Sequence, residues 1–498
     1  MTARLSNAAL DSLPADIERP GYDRAQVRAG VVHLGIGAFH RAHQAVVFDD
    51  LIRAGDRRWG VRGASLRSPD VRDQLAPQDG LYSLVVRDGD VERTRIVGAV
   101  RDVMVAPEDP AALLAALGDP DTHLVTLTIT EKGYKLDPVT GGLIEDDPDL
   151  AQDLVSLAAP RTAPGVLVAA LALRRARGLA AFTAISCDNI PENGRRLQAA
   201  VLALATRHDP RLADWIAETG AFPQTMVDRI VPATTPQDIE ALTARLGVRD
   251  LAMVKTEPFT QWVVEDRFAG PHPDLAAAGV QLTADVAPWE EAKLRLLNGA
   301  HSAMAYLGGL AGIEFIHQVV ARPAGAAFVQ RLWDEAETTL SPPPGLSIPA
   351  YRIELMRRFS NSALQHRTRQ IAMDGSQKLP QRLLASLAAR LARGQSIEAL
   401  SLGVAAWMRW QGGRDDAGAP FKVDDPLAET TAARVRASAD PAHQVDALLS
   451  LASVFPAPLA ADPRLREALV GHLTRLSRHG ALAALDAALA DPVPGTPT

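Results

Sequence analysis

Val31-Val32-His33-Leu34-Gly35-Ile36-Gly37-Ala38-Phe39-His40 decides how the first half of this chain folds. The short, mostly apolar run to Leu34 reads as a strand. Gly35 and Gly37 permit a tight turn, and a helical pattern follows through Leu51 and Ile52. Further along, Trp59-Gly60-Val61-Arg62-Gly63-Ala64 reads as the next strand. His123-Leu124-Val125-Thr126-Leu127-Thr128-Ile129 is a continuous run rich in β-branched residues, as a buried parallel strand should be. Ala180 to Ser186 forms another, after a helical run from Val166 to Arg177. Strands separated by helical segments predict a doubly wound parallel sheet.

The pattern changes near Asp285-Val286-Ala287-Pro288, where proline suits the first turn of a helix. From there the chain reads as mainly helical, with Ala-, Leu- and Arg-rich segments over 326–340, 350–370, 380–410, 427–455 and 463–490. Pro342 to Gly345 and Gly412 to Asp416 are expected loops, and residues 491–498 a frayed tail. No repeat period is visible. The expected organisation is an α/β domain over 1–286 and a mainly α-helical domain over 287–498.

Composition excludes several functions. The 498 residues are 47% hydrophobic and 22% charged, which is a globular balance. A net charge of -7 without a basic run argues against a nucleic-acid partner. Cys187 is the sole cysteine, so neither a disulfide framework nor a cysteine-rich metal site is expected, and a reducing, cytoplasmic compartment fits. Met1 to Pro20 has no apolar h-region, and no apolar run approaches about 18 residues, so no signal peptide and no membrane span are expected.

Gly35-x-Gly37 between a strand and a helix is the front half of a dinucleotide fingerprint. Its glycines let backbone N–H groups approach a pyrophosphate at a helix start. His40 stands where the third glycine would be. Asp70, beyond the second strand, is placed to take an adenosine ribose, whereas Arg67 and Arg72 beside it would favour a 2′-phosphate. His33, His40 and His43 read as packing and helix-start groups rather than metal ligands.

A second stretch carries the chemistry: Trp289-Glu290-Glu291-Ala292-Lys293-Leu294-Arg295-Leu296-Leu297-Asn298-Gly299-Ala300-His301. Read as one α-helix, Glu290, Lys293, Asn298 and His301 fall within an arc of about 140°. That face offers a base, an oxyanion donor and an orienting group. Lysine is scarce in this chain: there are six, Lys132, Lys135, Lys255, Lys293, Lys378 and Lys422, against a background of arginine. Lysine loses its proton when desolvated or set near another cation, and arginine effectively does not. Arg295 is a candidate for that second cation.

The chain resembles the polyol-specific long-chain dehydrogenases, among them mannitol 2-dehydrogenase and fructuronate reductase (mannonate oxidoreductase). The resemblance covers almost the whole chain. It rests on Gly35 to Ala45, Thr126 to Tyr134, Ser186 to Pro191 and Met226 to Pro232. Glu257 to Phe259, Gln261 to Asp266, the lysine segment and Ile371 to Pro380 complete it. The third fingerprint glycine is replaced in that family as well. The resemblance implies a Rossmann-like dinucleotide-binding domain over 1–286, a mainly helical substrate and catalytic domain over 287–498, and a cleft between them. It implies metal-independent hydride transfer, with Lys293 as general base and Asn189 and Asn298 as oxyanion donors. His301 falls on an orienting histidine, and Glu290 on the carboxylate that relays the proton.

The implied cofactor is NAD, with NADP as the other candidate. Gly35, Gly37, Ala38, Phe39 and Asp70 would hold it. Val227, Asp228, Gln370 and Lys378 would line the substrate site for a small polyol, ketose or sugar acid, and the chain is compatible with a monomer. Three positions depart from relatives. Pro69-Asp70 replaces a Glu-Asp pair of mannitol dehydrogenases. Gln370 replaces their substrate-contacting arginine, as in the fructuronate reductase branch. Thr260 stands where that branch has an arginine. The leading expectation is mannitol and fructose, and the runner-up is mannonate and fructuronate. A non-catalytic nucleotide-binding regulator is the reading from another class.

Overall fold

The computed structural model describes residues 2–137 and 140–490. The expected tail over 491–498 therefore lies outside the described residues. The chain divides into two compact units, Met1–Ala287 and Pro288–Thr498.

Among the described residues the first unit carries eleven strands: β1 (Val31–Leu34), β2 (Val61–Ser65), β3 (Tyr82–Asp88), β4 (Val91–Val97), β5 (Val100–Val105), β6 (Leu124–Leu127), β7 (Thr183–Ser186), β8 (Thr225–Asp228), β9 (Val254–Thr256), β10 (Gln261–Glu265) and β11 (Gln281–Thr283). Five form one parallel sheet in the order β5-β2-β1-β6-β7. Numbered within that sheet, this is the Rossmann order 3-2-1-4-5. Val31 lies opposite both Val61 and Leu124, and Leu34 opposite Ala64 and Leu127. Side chains alternate across a strand. Val32 and Leu34 accordingly enter one core with Val125, Leu127 and Ala184, under the helix Ala163–Ala176. Val31, Leu124 and Ile185 enter the other, against Phe48 and Ile52 of the helix Gln44–Arg53.

The third expected strand is shorter than its apolar run. It ends at Leu127 because the next free backbone donors turn elsewhere: Ile129 and Thr130 N–H go to the Asp188 carboxylate, at 3.2 and 2.8 Å. The expected helix from Ala38 onwards is two helices, Ala38–Ala42 and Gln44–Arg53, interrupted at His43 (φ -126°, ψ -89°). His43 Nε2 there lies 2.9 Å from the Gln261 carbonyl. β3 and β4 form a hairpin inserted between β2 and β5, with β9 parallel to β3 in a separate sheet. β8, β10 and β11 make a third sheet.

The second unit is helical. Ala287–Ala292 leads through a π-helical turn, Lys293–Asn298, into Gly299–Leu310, whose twelve residues are all buried. A helix buried all round is a central one, and Pro323–Glu337, Glu398–Trp410 and Pro463–Ala490 pack around it. Four expected helical runs are interrupted: 427–455 is two helices, Ala428–Arg436 and Pro441–Leu449, 463–490 is broken at Gly480 (φ 81°, ψ 173°), and two more stop early. The run over 350–370 stops at Ser360, because Asn361 caps a short turn and Arg367 bridges to Phe315 before Thr368–Ile371 begins. The run over 380–410 opens with a second π-helical turn, Pro380–Leu384, and stops at Gly394 (φ 66°). Among the described residues no helix is long and apolar enough to cross a membrane.

Candidate active site

In the first unit the strand–turn–helix sequence builds an open backbone cradle. Gly35 takes φ +94°, a conformation L side chains resist, and its N–H donates to Ala64 O at 2.8 Å. A Cβ there would overlap the Thr128 carbonyl oxygen and sit 2.9 Å from its carbon. Around Gly37 the nearest atom to an added Cβ is Gly35 O at 3.8 Å. Gly37 and Ala38 are exposed and Phe39 is half-exposed, so this turn is accessible to a ligand.

The missing third glycine has a structural answer. That glycine ordinarily lets the helix pack closely on the strand. Here His40 and His33 are both fully buried and stacked ring on ring, with centroids 3.4 Å apart. His33 Nδ1 lies 2.7 Å from Thr126 Oγ1, and its Nε2 is 3.0 Å from Thr128 Oγ1. Burial keeps both rings neutral: it pushes His33 down to about 3 and holds His40 far below its ordinary value. Among the described residues no cluster of three or more His, Cys, Asp or Glu side chains is placed to hold a metal.

Asp70 is exposed, opens the helix Asp70–Leu75 and accepts from Ser68 Oγ at 2.8 Å. Arg67 is exposed as well. Arg72 is not available in the way its position in the sequence suggests. Its guanidinium pairs with Asp73 at 2.8 Å and also with Glu108.

Asn189 lies just past β7 and is exposed. Asp188 before it is buried and accepts from Ile129 N, Thr130 N and, at 2.8 Å, Tyr134 Oη. Burial pushes its carboxyl up. Thr130 adopts φ +66°, so this carboxylate holds a strained loop. Asn193 Nδ2 donates to Asp188 O and Thr225 O, each at 3.0 Å, which brings the Asn189 loop beside β8. Val227 and Asp228 close β8, buried and opposite Trp262 and Gln261.

In the second unit Lys293 opens the π-helical turn and Asn298 closes it. The reading as one straight α-helix is thereby corrected. A π turn bonds residue i to i+5 and widens the coil, so five steps from Lys293 to Asn298 advance less around the axis than about 100° each. The two side chains come closer to one face than a uniform helix would bring them. Lys293 is 5% exposed, and Glu290 is half-buried one turn earlier. Asn298 Oδ1 is buried without a hydrogen-bond partner among the described residues.

His301 is buried, edge-on to His366 (4.7 Å) and beside Phe359 (5.1 Å), and its Nε2 has no partner among the described residues. Burial, then the charges of His366, Arg382 and Arg358, hold it far below its ordinary pKa, so it is a neutral imidazole. Arg295, expected to depress Lys293, has other partners. It donates to Thr339 O at 2.6 Å and pairs with Glu291 at 3.3 Å.

Lys378 Nζ donates to Met373 O at 2.7 Å and lies 3.4 Å from the Asp374 carboxylate. Burial, then Arg382, lowers its pKa. Gln370 is exposed on the short helix Thr368–Ile371. Asp188, His366 and Arg382 were not singled out from sequence. Asp188 lies inside the quoted Ser186–Pro191 segment, but nothing in the residue string marks its burial.

Residues 29–277 match the mannitol dehydrogenase Rossmann domain, and residues 285–477 the mannitol dehydrogenase C-terminal domain. The uncharacterized oxidoreductase YeiQ of Escherichia coli K12 is 44% identical over 97% of this chain and 99% of its own. The D-mannonate oxidoreductase of the same strain is 43% identical, covering 93% and 96%. Mannitol 2-dehydrogenase of Pseudomonas fluorescens, solved as a ternary complex with NAD and D-mannitol, superposes with a TM-score of 0.85. It is 36% identical, with 98% of this chain and 100% of that one covered. With a Rossmann-ordered sheet ahead of a helical unit that carries a buried lysine, and with both domain types matched, the chain belongs to the mannitol dehydrogenase family.

Proposed function

We propose that this chain transfers hydride between NAD(H) and a secondary alcohol or ketone of a linear polyol or sugar acid, with Lys293 as general base and no metal. The observation that carries the reading is Lys293 itself: a buried amine on a π-helical turn that ends in Asn298, in a member of this family. The open cradle at Gly37 and the exposed Asp70 fit a dinucleotide.

Bound NAD supplies the hydride acceptor. Gly35, Gly37, Ala38 and Phe39 present backbone to its pyrophosphate, and Asp70 takes the ribose hydroxyls and repels a 2′-phosphate. Removing hydride from a carbinol carbon requires removing the hydroxyl proton. Burial disfavours an ammonium and so favours the amine that can take that proton. Asn189 and Asn298 donate amide N–H to the developing alkoxide, an interaction of about 2.7–4 kcal/mol for such a donor. Glu290 passes the proton on, and His301, being neutral, orients a neighbouring substrate hydroxyl. Val227, Asp228, Gln370 and Lys378 line the substrate. The single buried Cys187 suits a reducing, cytoplasmic setting.

The test is a panel of NADH and NADPH oxidation with fructose, fructuronate and tagaturonate. Turnover with NADH on one of them is the expected result. A tight NADH complex with no turnover on any would favour a non-catalytic nucleotide-binding regulator.

A further inference from the structure

The π-helical turn Pro380–Leu384 packs against the turn Lys293–Asn298. The approach is close enough that a Cβ on Gly299 would lie 2.7 Å from the Arg382 carbonyl oxygen. The Arg382 side chain runs to the helix of His301, where Nη1 donates to Ser302 Oγ at 2.9 Å. Among the described residues that is its sole hydrogen bond, and it has no ion-pair partner. A guanidinium offers five N–H donors in a planar fork.

Two other enclosed arginines of this chain donate more often, while Arg41 likewise donates once, to Ile36 O. Arg390 donates to Ser396 O, Glu335 O and Thr338 Oγ1, and Arg174 to three backbone carbonyls. Arg382 is densely surrounded yet keeps partial access to solvent, as a group in a recess does. Burial pushes its pKa down, against the opposing charge of Asp374.

The charges around it are unbalanced. Lys378 lies one turn before it, and Arg358 acts on the same His301. Of the acidic groups, Asp374 lies beside Lys378 and acts on Arg382 as well without pairing with it, and Asp425 accepts from Ser376 N, Ser376 Oγ and Leu427 N. His301 is neutral, and burial keeps the Tyr306 hydroxyl protonated. An enclosed cation without a partner is costly, and a carboxylate matches the guanidinium fork two bonds at a time.

We propose that Arg382 binds a carboxylate of the substrate, with Lys378 beside it, so that the reacting alcohol belongs to a sugar acid rather than a neutral polyol. The inference rests on the reaction proposed above. It also supplies a carboxylate partner where Thr260 cannot.

The test compares kcat/KM for fructuronate and fructose with NADH, in wild type, Arg382→Gln and Arg382→Lys, together with fluorescence titration of D-mannonate and D-mannitol onto each protein's NADH complex. Wild type should favour fructuronate. Arg382→Gln should lower the fructuronate-to-fructose ratio by about 10- to 100-fold, the range for losing a charged hydrogen bond, and weaken mannonate binding similarly. Arg382→Lys should fall between. A wild type favouring fructose, or a ratio unchanged in Arg382→Gln, would overturn the assignment. Should Arg382→Gln fail to fold, the ratio in Arg382→Lys decides. Mannonate binding that depends on Arg382 without turnover of any ketose would overturn the reaction and keep the carboxylate site.

Discussion

Gly35 and Gly37 stand two residues apart, and the structure assigns them different losses on substitution by alanine. In Gly35→Ala a side chain must adopt φ +94°, which costs about 1–2 kcal/mol. The methyl also overlaps the Thr128 carbonyl, a backbone group between β6 and the Asp188 clamp that cannot swing aside. Overpacking of that kind costs about 1–3 kcal/mol more. The expected destabilisation of about 2–5 kcal/mol corresponds to a fall in Tm of about 4–10 °C for a unit of this size. Gly37→Ala is different. Its φ of -76° suits any residue, and its nearest neighbour is 3.8 Å away. Its Tm should hold, while the methyl stands on the open side of the turn and raises the Kd for NADH at least about tenfold. Differential scanning calorimetry and NADH fluorescence titration on both variants separate the two effects. An unshifted Tm in Gly35→Ala, or an unshifted NADH Kd in Gly37→Ala, would refute the reasoning.

Three further outcomes follow from the same geometry. The Glu335 carboxyl accepts from Ala399 N at 3.0 Å and Leu400 N at 2.9 Å, and burial raises it to about 7. Because the folded value lies above the unfolded one, its contribution is fully present below the ordinary carboxyl range and is lost as pH rises through about 7. Urea unfolding at pH 5 and pH 8 should therefore show wild type losing about 3 kcal/mol relative to Glu335→Gln, and parallel curves would contradict this. Asn189→Ala and Asn298→Ala should each lower kcat by about 10²–10³ with NADH affinity retained; a variant that changes only NADH affinity belongs to the nucleotide site. Asp70→Ala should erode the preference for NADH over NADPH in kcat/KM without reversing it, since Arg72 is held by Asp73 and Glu108; an unchanged ratio would make Asp70 a solvated residue.

The parts of this fold visible in sequence are those set by local pattern. β1 matches its apolar run residue for residue, and the alternation of strands and helices predicts the parallel sheet. Strand ends were less legible, because where β6 stops depends on Asp188, about sixty residues away. The β3–β4 hairpin turns on Gly89-Asp90, between the paired Asp88 and Val91, a short signal outside the strand–helix alternation. Lys293, Asn298 and His301 were visible as residue types on one segment. The π turns that set their angles were not, since an apolar helical period looks the same with or without one widened turn. Nor does sequence show which cations lack partners. Arg295, the expected cation beside Lys293, is bound to Thr339 and Glu291, and Arg382 donates, among the described residues, to Ser302 only.

The central claim is that Lys293 moves the proton while hydride moves to or from the nicotinamide. The most direct measurement is single-turnover hydride transfer, followed by NADH absorbance across pH, in wild type and Lys293→Ala. In wild type, alcohol oxidation should rise with pH as the amine loses its proton, and carbonyl reduction should fall over the same range. In Lys293→Ala both rates should drop by at least about 10²-fold and lose that pH dependence, with NADH still bound. Transfer at the wild-type rate, or an unchanged pH profile, would contradict the account.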